Sequence, residues 1–217
     1  TNYAGLFGVV TYGSTIRNVN LINCGFKGNV AGSIAGQIES KDFDAKAGFG
    51  PVAVDRVTAD SSVVVTTTSS DANAYAGGFF GVMKPNLYKD SQLTVSNCYS
   101  NATVVNGNEN GKGKQVGGFI GCYNPDVEFK DIRYLDVSPI FKNCYFGGSY
   151  ISANVDYVGT IVKNKFEDDY PGTDLHSSRF VDCYCVGTSN GQFDDANSSS
   201  SYVYRDYIKT GRLAYDL

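Results

Sequence analysis

Val116-Gly117-Gly118-Phe119-Ile120-Gly121 decides how this 217-residue chain is read, because it recurs. Ala76-Gly77-Gly78-Phe79-Phe80-Gly81 and Tyr3-Ala4-Gly5-Leu6-Phe7-Gly8 match it closely. Ala31-Gly32-Ser33-Ile34-Ala35-Gly36 and Val158-Gly159-Thr160-Ile161-Val162-Lys163 are degenerate copies, the last ending in Lys163 where the others have Gly8, Gly36, Gly81 and Gly121. Taking that last position as the marker, the spacings are 28, 45, 40 and 42 residues. Such periods belong to solenoids and propellers. A second pattern runs in phase with the first: Leu21-Ile22-Asn23-Cys24, Val95-Ser96-Asn97-Cys98, Phe141-Lys142-Asn143-Cys144 and Phe180-Val181-Asp182-Cys183. The second repeat lacks it. There Val54-Asp55-Arg56-Val57 parallels Ile16-Arg17-Asn18-Val19, and Ser62 falls about where Cys24 would.

The segments between these marks are short, β-branched or aromatic, and punctuated by Gly, Asn, Asp and Ser, as in Val63-Val64-Val65-Thr66-Thr67-Thr68. This is strand chemistry. No sustained 3.6-residue apolar period appears; the one candidate helical stretch is Tyr207 to Leu213. A propeller blade needs four antiparallel strands of even length in every repeat. Here the repeat length changes while both patterns survive, which suits a parallel β-helix, whose coils touch only their neighbours and shed insertions as loops. Asn and Asp tolerate the left-handed conformation of a corner. Stacked Asn side chains can hydrogen-bond from coil to coil, and the following Cys would point inward as a small apolar residue. The glycines would permit tight corners and close backbone approach. The sequence thus predicts an all-β fold, a parallel β-helix of about five coils with variable loops and little helix. Residues 1–200 form the repeat domain, and 201–217 a tail or linker to a following module.

Composition narrows function without naming it. The net charge of −4 excludes a nucleic-acid binder working through a basic face. With 42% hydrophobic residues, including 16 Tyr and 13 Phe, the chain is not intrinsically disordered. No apolar run is long enough for a membrane span. Thr1 is preceded by no signal-like segment and the chain enters mid-motif, so the expectation is a section of a longer protein.

Val116-Gly117-Gly118-Phe119-Ile120-Gly121 and Asn97-Cys98-Tyr99, in alternation, resemble the GLUG-motif repeats of bacterial surface proteins. The resemblance covers residues 3 to about 190, and Thr210 to Leu217 is similar to the segment that often follows such repeats. It implies a right-handed parallel β-helix in a large secreted or cell-wall-attached, adhesin-like protein. Its partners would be proteins or glycans on a cell surface, or neighbouring modules of the same protein. It carries no defined catalytic site, so no catalytic residue is transferred.

Four of the six cysteines, Cys24, Cys98, Cys144 and Cys183, occupy the repeat pattern, which predicts a buried, reduced column; Cys122 and Cys185 stand outside it. Coils lie about 4.8 Å apart, but side chains stacked in parallel seldom meet disulfide geometry. Cys183-Tyr184-Cys185 has no second clamp, and His176 is the sole imidazole, so zinc is not expected. Polysaccharide cleavage on a β-helix would need paired carboxylates. The candidates are Glu167-Asp168-Asp169, Asp194-Asp195, and Asp126 with Glu128 and Asp131, all in insertions outside the repeat. Glu167, Asp168, Asp169 and Asp174 are the candidates for a calcium-holding loop; no other cofactor is expected. Tyr123, Tyr134, Tyr170, Tyr202 and Tyr204 are candidates for a binding surface, Tyr being suited to sugars and protein contacts alike. Tyr99, Tyr145 and Tyr184, each directly after a repeat Cys, are expected to stack as a structural ladder. The leading reading is a non-enzymatic adhesive module; the alternative is a carbohydrate-binding or polysaccharide-cleaving domain.

Overall fold

The computed structural model describes residues 2–11, 13–39, 51–68, 74–83, 93–107, 115–123, 140–151, 157–161, 179–185 and 201–202. Among them there are 21 strands and no helix; Tyr207 to Leu213 lie outside the described residues. The first repeat carries β1 (Tyr3–Ala4), β2 (Phe7–Thr11), β3 (Thr15–Leu21) and β4 (Gly25–Gly28). The second carries β5 (Val30–Gly32), β6 (Ala35–Glu39), β7 (Val52–Ala59) and β8 (Val64–Thr67). The third carries β9 (Tyr75–Gly77), β10 (Phe80–Met83), β11 (Leu93–Ser96), β12 (Tyr99–Ser100) and β13 (Thr103–Asn106). The fourth carries β14 (Gln115–Tyr123), β15 (Ile140–Lys142), β16 (Tyr145–Phe146) and β17 (Ser149–Ile151). Then follow β18 (Tyr157–Ile161), β19 (Arg179–Val181), β20 (Tyr184–Cys185) and β21 (Ser201–Tyr202).

Every described pairing is parallel, and nearly every strand pairs with its counterpart one repeat away. The exception is β21, which pairs with β20, so Ser201 and Tyr202, assigned from sequence to the tail, lie against Tyr184 and Cys185. Three sheets result, of eight, nine and four strands. The chain visits them in a fixed order, first, second, third and first again, from β1 to β20.

The glycine pattern makes a crease in the first sheet. Ala4, Ala31, Ala76, Val116 and Val158 are in register, as are Gly32, Gly77, Gly117 and Gly159. Gly8, Gly36, Gly81 and Gly121 form a second column across the crease. A Cβ on Gly77 would lie 1.9 Å from the Phe80 carbonyl oxygen, and one on Gly117 1.8 Å from that of Ile120. A Cβ on Gly121 would lie 2.7 Å from the Ala76 carbonyl oxygen. None of these glycines has a positive φ. The requirement is therefore close backbone approach, not a forbidden dihedral.

The second sheet shows how a corner keeps its apolar residues inside. In β7, Val52 and Val54 point in, Asp55 and Arg56 both face out, and Val57 and Ala59 point in again. The two consecutive outward residues arise because Arg56 is left-handed, with φ 52°. One such residue shifts the two-residue alternation of a strand by one. The core between the sheets is filled by Phe79, Phe119, Phe141 and Phe146, with Ile34, Ile38, Leu93 and Met83, all fully buried. Phe79 and Phe119 stack at 5.3 Å and 10°, and Phe119 meets Phe141 of the second sheet at 5.2 Å.

Candidate functional site

Register places Asn18, Arg56, Asn97, Asn143 and Asp182 in one column at the bend of the second sheet, each with φ between 51° and 57°. Their side chains are linked from repeat to repeat. Arg56 Nε donates to Asn18 Oδ1 at 2.7 Å, Asn97 Nδ2 donates to Asp55 at 2.9 Å, and Asn143 Nδ2 donates to Asn97 Oδ1 at 3.1 Å. Asp55 also accepts from Ser96 Oγ at 3.0 Å and pairs with Arg56 at 3.0 Å. The Asn97 hydrogen bond holds the Asp55 carboxyl below its ordinary value; partial desolvation opposes this, and Ser96, Arg56 and Arg17 reinforce it. Because the folded-state pKa is depressed, its stabilising effect is complete above the ordinary carboxylate range and fades as pH falls through it.

Asn97→Ala is expected to destabilise the chain by about 1–2 kcal/mol, since Ala keeps the left-handed cost and loses the ladder bonds. Asn97→Gly restores the dihedral freedom, so its loss should be the smaller in urea denaturation. Equal losses would show that the dihedral has no role.

One step inside this column stand Val19, Val57, Cys98, Cys144 and Cys183. Cys98, Cys144 and Cys183 are buried. Each thiol donates to the carbonyl two residues earlier: Cys98 to Ser96, Cys144 to Lys142, Cys183 to Val181. The thiol is a second donor to carbonyls that stay in the ladder, since Lys142 O also accepts from Asn97 N and Val181 O from Asn143 N. Burial pushes the Cys144 thiol well up, and its neighbours Cys183 and Cys98 push the same way. The hydrogen bond with Cys144 holds Cys98 below its ordinary value against burial.

Cys24 corrects the column of four expected from sequence. Asn23 is left-handed, with φ 53°, and the Cys24 thiol donates to Ile22, so the local motif is the same. Its register is not. Cys24 stacks with Val63, Ala102 and Gly148 at the next corner, and is only half-buried. The Asn18-Val19 pair takes the place expected for Asn23-Cys24. Site-resolved thiol alkylation of the folded chain should therefore modify Cys24 well before Cys98, Cys144 and Cys183. Uniform labelling without unfolding would contradict the buried column.

Tyr99 and Tyr145 stack at 6.3 Å and 19° on the outer face, with Tyr184 next in register. They spend ring faces on each other, as a structural ladder does. Tyr123 is the last residue of β14, in register with Met83, and Tyr202 pairs with Cys185. Tyr134, Tyr170 and Tyr204 lie outside the described residues, as do Glu167, Asp168, Asp169, Asp174, Asp126, Glu128, Asp131, Asp194, Asp195 and His176. Among the described residues, no group of three or more His, Cys, Asp or Glu could hold a metal ion.

The connections sort by length. From the second sheet to the third they are residues 22–24, 60–63, 101–102 and 147–148. From the first sheet to the second they are 12–14, 40–51, 84–92, 124–139 and 162–178. The two longest carry Tyr134, Tyr170 and most of the candidate carboxylates, and they leave from paired strands (β14 and β18) and return to paired strands (β15 and β19). No protein-family model, curated protein or solved structure matches the chain.

Proposed function

We propose that the chain is a non-enzymatic structural and adhesive module of a larger bacterial surface protein, folded as a right-handed parallel β-helix of about five coils. Its repeats act as a stiff flank. Its long insertions present binding groups to a protein or glycan on a cell surface outside the cell. The supporting observation is the contrast among corners: the passage from the second sheet to the third takes only two to four residues, while the exit from the first sheet varies from three residues to seventeen. A scaffold that keeps one corner short while its other connections lengthen suits presentation, because loops carry recognition on rigid supports. The resemblance to GLUG-motif repeats supports the surface location.

The test is binding of the whole chain to immobilised polysaccharides and extracellular-matrix proteins, beside a variant with residues 162–178 replaced by a short Gly-Ser linker. The module reading expects a folded variant whose binding weakens by roughly tenfold or more. Cleavage of any polysaccharide by the intact chain would overturn it in favour of a carbohydrate-active domain.

A further inference from the structure

Two of the buried thiols meet in a geometry that a disulfide does not use. Cys98 and Cys144 are in register on neighbouring strands, and each is 1% exposed. Strand spacing sets in-register parallel side chains about 4.7–4.9 Å apart, beyond the about 3.5–4.5 Å that separates the Cβ atoms of a disulfide. A linear sulfur–metal–sulfur unit fits that spacing, since twice a metal–thiolate bond of about 2.3 Å is about 4.6 Å. The two sulfurs are already hydrogen-bonded to each other, so an ion between them would take the place of the proton they share.

The surroundings restrict what fits. Cys98 and Cys144 lie in the apolar core with Val54, Val57, Val95 and Phe141. Among the described residues, no third His, Cys, Asp or Glu completes a metal-holding set with them. Two buried thiolates do not supply the four ligands of a structural zinc site. Thiolates do select soft copper(I), which is stable between two of them in a line. Cys98 Sγ also accepts from Val57 N–H at 3.4 Å, a donor that favours its thiolate, while Asp55 on the outer side of the bend opposes it. Cys183, one coil further on, is the other titratable group beside Cys144. Loss of the Cys144 proton strands no carbonyl, because Lys142 O still accepts from Asn97 N at 3.0 Å. Nor does the fold require sulfur in this column, where the first two repeats place Val19 and Val57.

We propose that Cys98 and Cys144 form a two-coordinate site for a soft monovalent ion, copper(I). Binding turns two thiols and one copper(I) into an anionic dithiolate complex and two protons that pass to solvent, with no change of oxidation state.

The test is titration of the full chain with copper(I) against a coloured copper(I) chelator, after refolding without oxygen beside a non-thiol reductant. The chain should take up one copper(I), and X-ray absorption should report two sulfurs at the ion. Affinity should rise steeply with pH below the thiol range, because each ion displaces two protons. Cys98→Val and Cys144→Val copy the valines of the earlier repeats. Each should weaken uptake by more than the ~10–100-fold that loss of a supporting group costs. Cys24→Val and Cys122→Val should leave it unchanged. Urea midpoints without copper show whether each variant folds; where one does not, the sulfur count and proton release of the unmodified chain decide. No uptake by the folded chain, three or more sulfurs at the ion, or uptake that survives Cys98→Val or Cys144→Val would overturn the proposal.

Discussion

Gly117→Ala is expected to remove a large share of the chain's stability. The added methyl would sit 1.8 Å from the Ile120 carbonyl oxygen and 2.6 Å from its carbon. Both belong to backbone that is itself paired on either side, with β10 and β18. A side chain could rotate away; a carbonyl held in two ladders cannot without moving the crease. Overpacking that side chains can absorb costs about 1–3 kcal/mol, and here that relief is absent. The expected loss exceeds about 3 kcal/mol, a large share of the stability of an ordinary domain. Gly77→Ala should behave alike, its nearest obstacle being the Phe80 carbonyl oxygen at 1.9 Å. Gly25→Ala is the control, since nothing lies within 4 Å of its would-be Cβ, and its effect should stay within about 0.5 kcal/mol. Circular dichroism and urea midpoints of the three variants decide the matter. A folded Gly117→Ala chain would show that the crease is looser than these distances require.

The second large effect is at Phe119. Its ring stacks on Phe79 at 5.3 Å and meets Phe141 at 5.2 Å, joining the creased first sheet to the second. Truncating a fully buried Phe costs about 3–5 kcal/mol, from lost transfer free energy and the cavity left behind. Phe119→Ala should fall in that range, and Phe119→Leu well below it. Because ring contacts cross the core, the loss should appear in both sheets at once, as faster amide exchange in β11 and β15 as well as in β14. Exchange confined to β14 would show that the ring does not couple the sheets.

Much of this architecture is legible in the residues. The Gly-x-x-Gly pattern marks the crease because its chemistry is steric: only glycine fits where backbones approach so closely. The column of Gly36, Gly81 and Gly121 can be read directly for that reason, while at Gly8 an added Cβ would come no nearer than 3.4 Å to the Tyr3 carbonyl oxygen. The parallel drawn between Ile16-Arg17-Asn18-Val19 and Val54-Asp55-Arg56-Val57 is the pairing the structure contains. Cys24 was harder, because Asn23-Cys24 and Asn97-Cys98 build the same local bend, a left-handed residue followed by a thiol that caps the carbonyl two residues back. A local motif reports local geometry, and only the pairing of β3 with β7 shows which corner it occupies. At Arg56 the parallel with Asn18 marks the place but the residue type hides the conformation: it is left-handed without being Asn, Asp or Gly, and Arg56 is bonded to Asn18 and Asp55. The crease of the first repeat is one residue shorter than that of the second, Ala4 to Phe7 against Ala31 to Ala35, and six-residue matches hide this because they align with or without the missing step.

The central claim is that successive repeats stack in parallel and in register, and proton–proton contacts by nuclear magnetic resonance test it most directly. Between the third and fourth repeats the account predicts contacts at one constant sequence separation, joining Thr94 to Ile140, Tyr99 to Tyr145 and Val104 to Tyr150. That separation also appears in the Asn97–Asn143 side-chain bond, at 46 residues. Contacts at this spacing along all three strands would establish the stack. Antiparallel contacts between neighbouring strands, such as β12 with β13, would contradict it.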